Sequence, residues 1–237
     1  MATAEADRLT AQFRQQVLRL AELIARRIGA TARRADASAI DQWWDQVSPQ
    51  VQREILTGQS ALAALARRYY MAHAALEGVA LEPVVVDPVA EQIAESLRVT
   101  GPVAFKTHMA ETGSDLASLR TMATTLEGSA TRLVLEGPRE TAMQTFRQRP
   151  AVEGWRRVTA ASACAFCIML RGRGAVYSRQ SVTFRAHDHC RCSAELVYRR
   201  EAEPPDVQQL QQQWREATAG LSGDDALAAW RRFVAAQ

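Results

Sequence analysis

The feature that most constrains this chain is a cluster of soft metal donors. Cys164-Ala-Phe-Cys167 is followed by His187-Asp-His189-Cys190-Arg-Cys192, which reads as C-x2-C-x19-H-x-H-C-x-C. A C-x2-C turn aims two sulfurs at one point, and the second half supplies further thiol and imidazole donors. Tetrahedral zinc takes four protein ligands in a closed structural site, and thiolate with imidazole suits it best. All 4 cysteines of the chain lie in this stretch. A disulfide framework spreads cysteines along a small secreted chain, whereas a tight cluster holds metal more often. The expected ligands are Cys164, Cys167 and His187, with one or both of Cys190 and Cys192. His189 is expected either as a ligand or behind the ligands, and the cofactor as a structural Zn2+.

The rest of the 237 residues is expected to be mostly helical. Leu9, Phe13, Val17, Leu20, Ile24 and Ile28 form one apolar stripe, with Gly29 as its stop. Ser38 and Asp41 suggest a capping box for a short helix through Trp43, Trp44 and Val47. Ser48-Pro49 then reads as a fresh helix start. Its stripe runs through Val51, Ile55, Leu62, Leu65, Tyr69 and Leu76 to Gly78. Residues 79–87, with Pro83 and Pro88, read as an extended connection and a subdomain boundary. Helix starts follow at Asp87-Pro88, Thr100-Gly101-Pro102, Asp115 and Gly137-Pro138.

The texture changes after Pro150. Residues 154–159, 175–177 and 193–198 suit short strands, and Trp155 is expected in the core. After Pro204-Pro205 the pattern is helical again. The expected class is α+β, mostly α: helical regions over 1–78 and 88–150, a zinc-held β-containing module over 151–200, and a helical tail over 205–237.

Charge narrows the function classes. The net charge of +3 is too small to argue for nucleic acid. Residues 151–200 nevertheless carry nine arginines against Glu153, Asp188 and Glu195. Arg156, Arg157, Arg171, Arg173, Arg179, Arg185 and Arg191 could therefore face DNA phosphates, or simply water. No apolar run reaches the roughly 18–20 residues that span a bilayer. The polar residues Glu5, Asp7 and Arg8 stand where a signal peptide needs an apolar core. A soluble chain of intracellular origin, without a membrane partner, is expected.

The string from Gly154-Trp-Arg-Arg-Val-Thr through Cys164-Ala-Phe-Cys167, Arg171-Gly-Arg-Gly and Val176-Tyr177 to His187-Asp-His-Cys-Arg-Cys192 resembles phage Mu F-like minor head proteins. These carry a paired-cysteine knuckle and a terminal His-x-x-Cys-Arg-Cys, here His187, Cys190, Arg191 and Cys192. The wording is most similar to actinobacteriophage versions encoded beside the portal gene. The resemblance covers about residues 137–200 well and the helical N-terminal region more loosely. One departure is Asp188, where the family often has proline, which leaves the backbone there less constrained.

The resemblance implies a minor capsid protein of the virion, made in the host cytoplasm and placed inside the head near the portal. Its implied partners are the portal protein and the scaffold or major capsid protein, with non-specific DNA contact. The implied role is structural, in head assembly, DNA packaging or ejection, without catalysis. Enzyme readings compete. An HNH-type nuclease needs a further His or Asn after the motif, but no histidine follows His189 and the chain has no asparagine. A capsid maturation protease needs a nucleophile beside a base, and His73 and His108 sit in helical segments without such a motif. A cysteine nucleophile paired with His187 would sacrifice the metal site. A zinc-stabilised DNA-binding regulator needs a recognition helix, and these arginines are spread over turns and strands.

Overall fold

The structure is a computed structural model and describes residues 4–160, 162–180, 183–199 and 202–237. It is mostly helical, with one small sheet, as the sequence pattern implies.

Helix α1 (Ala4–Ala32) buries Phe13, Val17, Ala21, Ile24 and Ile28. Gly29 does not stop it. The glycine lies inside the helix where the side chain of Glu127 crosses, and a Cβ there would collide with that carboxylate. After a short 3-10 turn over residues 37–39, capped by Asp36 on the amide and hydroxyl of Ser38, the chain enters α2 (Ile40–Leu76). The expected restart at Ser48-Pro49 is absent, because Pro49 sits inside one continuous 37-residue helix. Pro49 is exposed, so the carbonyl left without its amide partner faces water rather than the core. Helix α2 ends in a Schellman arrangement. Gly78 takes φ +72°, its amide donates to the Ala75 carbonyl, and the Val79 amide donates to Ala74.

The extended stretch after Gly78 does not separate two cores. It is strapped to α6 (Glu136–Gln148) and the residue after it. The Val84 amide donates to Thr145 Oγ1 at 2.9 Å, and Arg149 donates to the Glu82 carbonyl at 2.7 Å. Helix α3 (Ala90–Arg98) leads through a kink at residues 99–103 into α4 (Ala104–Thr112). Gly101 leaves helical geometry there because Trp44 packs against its Cα. Thr100-Gly101-Pro102 is thus a bend between helices rather than a clean start. Helix α5 (Asp115–Val134) begins at the Ser114 cap, as expected. Residues of α1, α2, α3, α5 and α6 share one apolar core.

Strands β1 (Gly154–Val158) and β2 (Ser193–Val197) pair antiparallel, with Trp155 opposite Leu196 and Arg157 opposite Ala194. Trp155, Ala194 and Leu196 join the helical core, and the Tyr70 hydroxyl donates to the Ala194 carbonyl at 2.9 Å. Trp155 is a core residue. The expected strand at 175–177 is a loop instead, whose Tyr177 ring stacks on Trp155 at 4.4 Å.

Helix α7 (Ala165–Gly172) packs on the tail helices α8 (Pro205–Ala217) and α9 (Gly223–Ala235). Met169, Leu170 and Trp230 form a second, smaller core there. Among the described residues, no helix is long and apolar enough to cross a membrane.

Candidate metal centre

The first two donors are set by the start of a helix. Cys164 is the N-cap of α7, in extended geometry, and Cys167 lies in its first turn. One helical turn brings both side chains to the same end. The other donors come from the segment leading into β2. Cys190 and Cys192 are two apart in extended chain, so both turn to one side while Arg191 faces outward.

The donors converge. His187 Nε2 lies 3.2 Å from Cys164 Sγ and 3.5 Å from Cys167 Sγ, and Cys167 Sγ lies 3.8 Å from Cys190 Sγ. Bonds of about 2.3 Å to sulfur and about 2.0 Å to nitrogen give tetrahedral edges of about 3.8 Å between sulfurs and about 3.5 Å between nitrogen and sulfur. These three separations are close to the edges expected between ligands of a tetrahedral ion. Cys164, Cys167 and His187 form one group able to hold a metal, and Cys167, Cys190 and Cys192 form another, with Cys167 common to both.

The imidazole is held in the required orientation. His187 Nδ1 lies 2.6 Å from the Asp188 carbonyl, so Nδ1 carries the proton and Nε2 presents its lone pair to the sulfurs. Burial disfavours charge on His187, but the Asp188 carbonyl and Cys164 outweigh it and raise its pKa. At Cys164 burial acts upward, while the Cys167 amide and His187 prevail and lower it. The sulfur contacts with Cys190 and Cys192, reinforced by burial, raise Cys167 far above the thiol range. Cys190 is pulled far down by its contacts with Cys167 and Cys192, with help from Arg139. Crowded thiols cannot all ionise in each other's presence; a divalent cation among them removes that conflict.

Two buried arginines back the cluster. Arg139, on α6, is 2% exposed. It donates to the Cys190 carbonyl at 2.8 Å, to the Cys192 carbonyl at 3.0 and 3.1 Å, and to the Arg132 carbonyl at 3.3 Å. Arg157 on β1 is also 2% exposed, with Nη1 4.0 Å from Cys190 Sγ and Nη2 donating to the Arg185 carbonyl at 2.7 Å. Both guanidinium groups lie over the Phe184 ring, Arg139 at 4.9 Å and Arg157 at 3.9 Å from its centre. Their charges offset thiolates that a metal leaves in excess.

His189 does not face the donors. It takes φ +62°, its amide donates to the Gly128 carbonyl at 3.1 Å, and its ring lies against Gly128. It fixes the turn instead of ligating. Asp188 is not loosely held either. Its carboxylate meets Arg132 at 2.8 Å, which ties the turn to α5 in the place of a proline's stiffness.

Most of the arginines suspected of meeting DNA have partners within the protein. Arg157 is buried, which overturns its reading as a phosphate contact. Arg156 pairs with Glu195, Arg171 with Asp206, and Arg191 with Glu22 at 3.2 Å. Arg179 donates to the carbonyls of Phe146 and Val152. Arg173 and Arg185 are exposed and have no side-chain partner among the described residues. Arg139, Phe184 and Gly128 also shape the site, although the donor spacing does not point to them. Arg139 and Gly128 belong to distant helices, and nothing local marks any of the three.

Residues 3–217 match the family model described as VG15 protein. No curated protein and no solved structure matches the chain. The match takes in the helical body, the cysteine cluster and α8, and leaves out α9. The chain belongs to the VG15 protein family, a family of phage gene products.

Proposed function

We propose that this chain is a Mu F-like minor head protein that sits inside the phage head, contacts the portal and serves head assembly, packaging or ejection. Scaffold or major capsid protein would be its other neighbours. The observation that carries the reading is the pair of donor groups that share Cys167, one with Cys164 and His187 and one with Cys190 and Cys192, in a chain of a phage family. That set is the signature on which the Mu F-like resemblance rests.

The metal that fits is zinc, held by Cys164, Cys167, His187 and Cys190 or Cys192. Zinc in a four-ligand thiolate–imidazole site is closed to substrate and supplies folding free energy, on the order of 10 kcal/mol for isolated structural sites. Arg139 and Arg157 then hold the ligand backbone and balance its charge. The small sheet, the knuckle and the turn at 187–189 become one rigid module on the helical body.

A non-enzymatic role is favoured by what surrounds the candidate nucleophiles. His108 Nδ1 lies 3.0 Å from Ser118 Oγ, a pair that could suggest a protease. Ser118 is 0% exposed, so a peptide carbonyl has no path to it. His73 is buried among Tyr69 and Tyr198.

The test is co-expression with the portal protein encoded by the same phage, followed by affinity capture and size exclusion. The proposal expects a stable complex and the chain among the proteins of purified virions. A chain absent from virions, or one that degrades capsid protein or DNA in a metal-dependent way, would overturn it.

A further inference from the structure

An open cleft of about 920 Å3 lies over the face of the sheet turned away from the helical core. Its floor holds Gly154 opposite Val197 and Arg156 opposite Glu195, which alternate with the inward Trp155 and Leu196. One wall is the end of α2, where His73 and Glu77 stand four residues apart on one side of the helix. The loop at 175–178 and the start of α8, with the residues just before it, complete the walls.

The wall at α2 holds polar atoms that the chain itself does not satisfy. His73 is 4% exposed, and its Nδ1 has no hydrogen-bond partner among the described residues. Glu77 Oε1 is likewise buried without a partner among them. A buried carboxylate oxygen is satisfied only when a donor reaches it. The surrounding charge selects that donor. Asp7, Glu153 and Glu203 also line the cleft. Against them, Arg156 is neutralised by Glu195, and Arg199 donates to the Glu77 carbonyl at 2.9 Å. The cleft is therefore acidic among the described residues, in a chain whose net charge is +3. Burial lowers the pKa of His73, so its neutral imidazole does not repel a cation.

We infer that this cleft receives an extended, arginine-bearing segment of a partner protein, with one guanidinium seated at Glu77 and His73. A guanidinium carries several N–H donors in one plane and pairs with a carboxylate more strongly than a neutral donor does. The volume is near the upper end for a pocket that holds one small ligand, which leaves room for several residues of chain along the strand pair. Val176, 69% exposed, with Pro204 and Pro205, gives the aliphatic stems of the segment an apolar edge to lie on. The inference stands on the cleft and does not depend on a place in the phage head.

The test is fluorescence anisotropy of the full chain, as purified, with a labelled hexa-arginine peptide and with its hexa-citrulline counterpart, which keeps the shape and loses the charge. The arginine peptide is expected to bind at least about ten-fold more tightly, a comparison that needs no variant. The cleft variant carries Asp7→Asn and Glu77→Gln, and a control carries Asp45→Asn and Glu111→Gln on exposed helix faces elsewhere. The cleft variant is expected to bind the arginine peptide about ten-fold more weakly than the parent, and the control to stay close to the parent. The inference is overturned if the two peptides bind alike, if the cleft variant binds like the parent, or if the control loses as much. It is also overturned if free spermidine displaces the peptide at equal concentration, since the cleft would then take a small amine rather than a chain.

Discussion

The ring of His189 rests on the Cα of Gly128, so close that a Cβ at residue 128 would lie 2.5 Å from Nε2. A glycine in the middle of α5 therefore decides where the turn carrying His187 can sit. Gly128→Ala should push His189 outward and move His187 with it. Overpacking of this kind costs roughly 1–3 kcal/mol. The variant should melt lower and hold its metal more weakly in competition with a chromophoric chelator. Parent-like affinity would show that the turn is not positioned by this contact.

Arg139→Met keeps most of the side-chain volume and removes every donor. The carbonyls of Cys190 and Cys192 would lose their partner inside the protein. Each stranded buried group costs about 1–3 kcal/mol, so a loss of about 2–6 kcal/mol is expected in denaturant unfolding. Arg139→Lys should recover only part of it, because an ammonium lacks the planar fork.

The tail is coupled to the knuckle. Trp230 Nε1 donates to the carbonyl of Ala165, the residue after Cys164, at 2.8 Å. Trp230→Phe should cost about 1 kcal/mol through that bond. Linkage then requires the converse: chelation should loosen α9, seen as faster amide exchange over 223–235. Unchanged exchange there after metal removal would show that tail and knuckle are independent.

Acid should find His73. Burial lowers its pKa below 6.5, against weaker upward pulls from Glu195 and Glu77. The unfolded chain therefore takes up a proton near pH 6.5 that the folded chain refuses. Stability attributable to His73 is full above that pH and is lost as pH falls towards the lowered folded value. The melting temperature of His73→Phe should drop less between pH 7 and pH 5 than that of the parent. Parallel pH profiles would contradict this.

Much of the helical body was legible, because aliphatic stripes repeat at helical spacing through α1, α2 and α5. The misreadings came from residues with two uses. Gly29 marks a close crossing with Glu127 rather than an end, and Pro49 is tolerated in mid-helix because its side faces water. The donors were legible because their spacing is local. Arg139, Gly128 and Phe184 were not, since only the fold brings α5 and α6 to the cluster. The pairing of the module's arginines is not legible, because sequence shows charge but not its partners.

The most direct test is metal content by inductively coupled plasma mass spectrometry, paired with thiol titration before and after chelation. The account predicts about one zinc per chain, as a single four-ligand site requires. It also predicts thiols that react only once the chelator is added. A metal-free chain with 4 freely titrating cysteines and an intact, protease-resistant segment over 155–199 would contradict it.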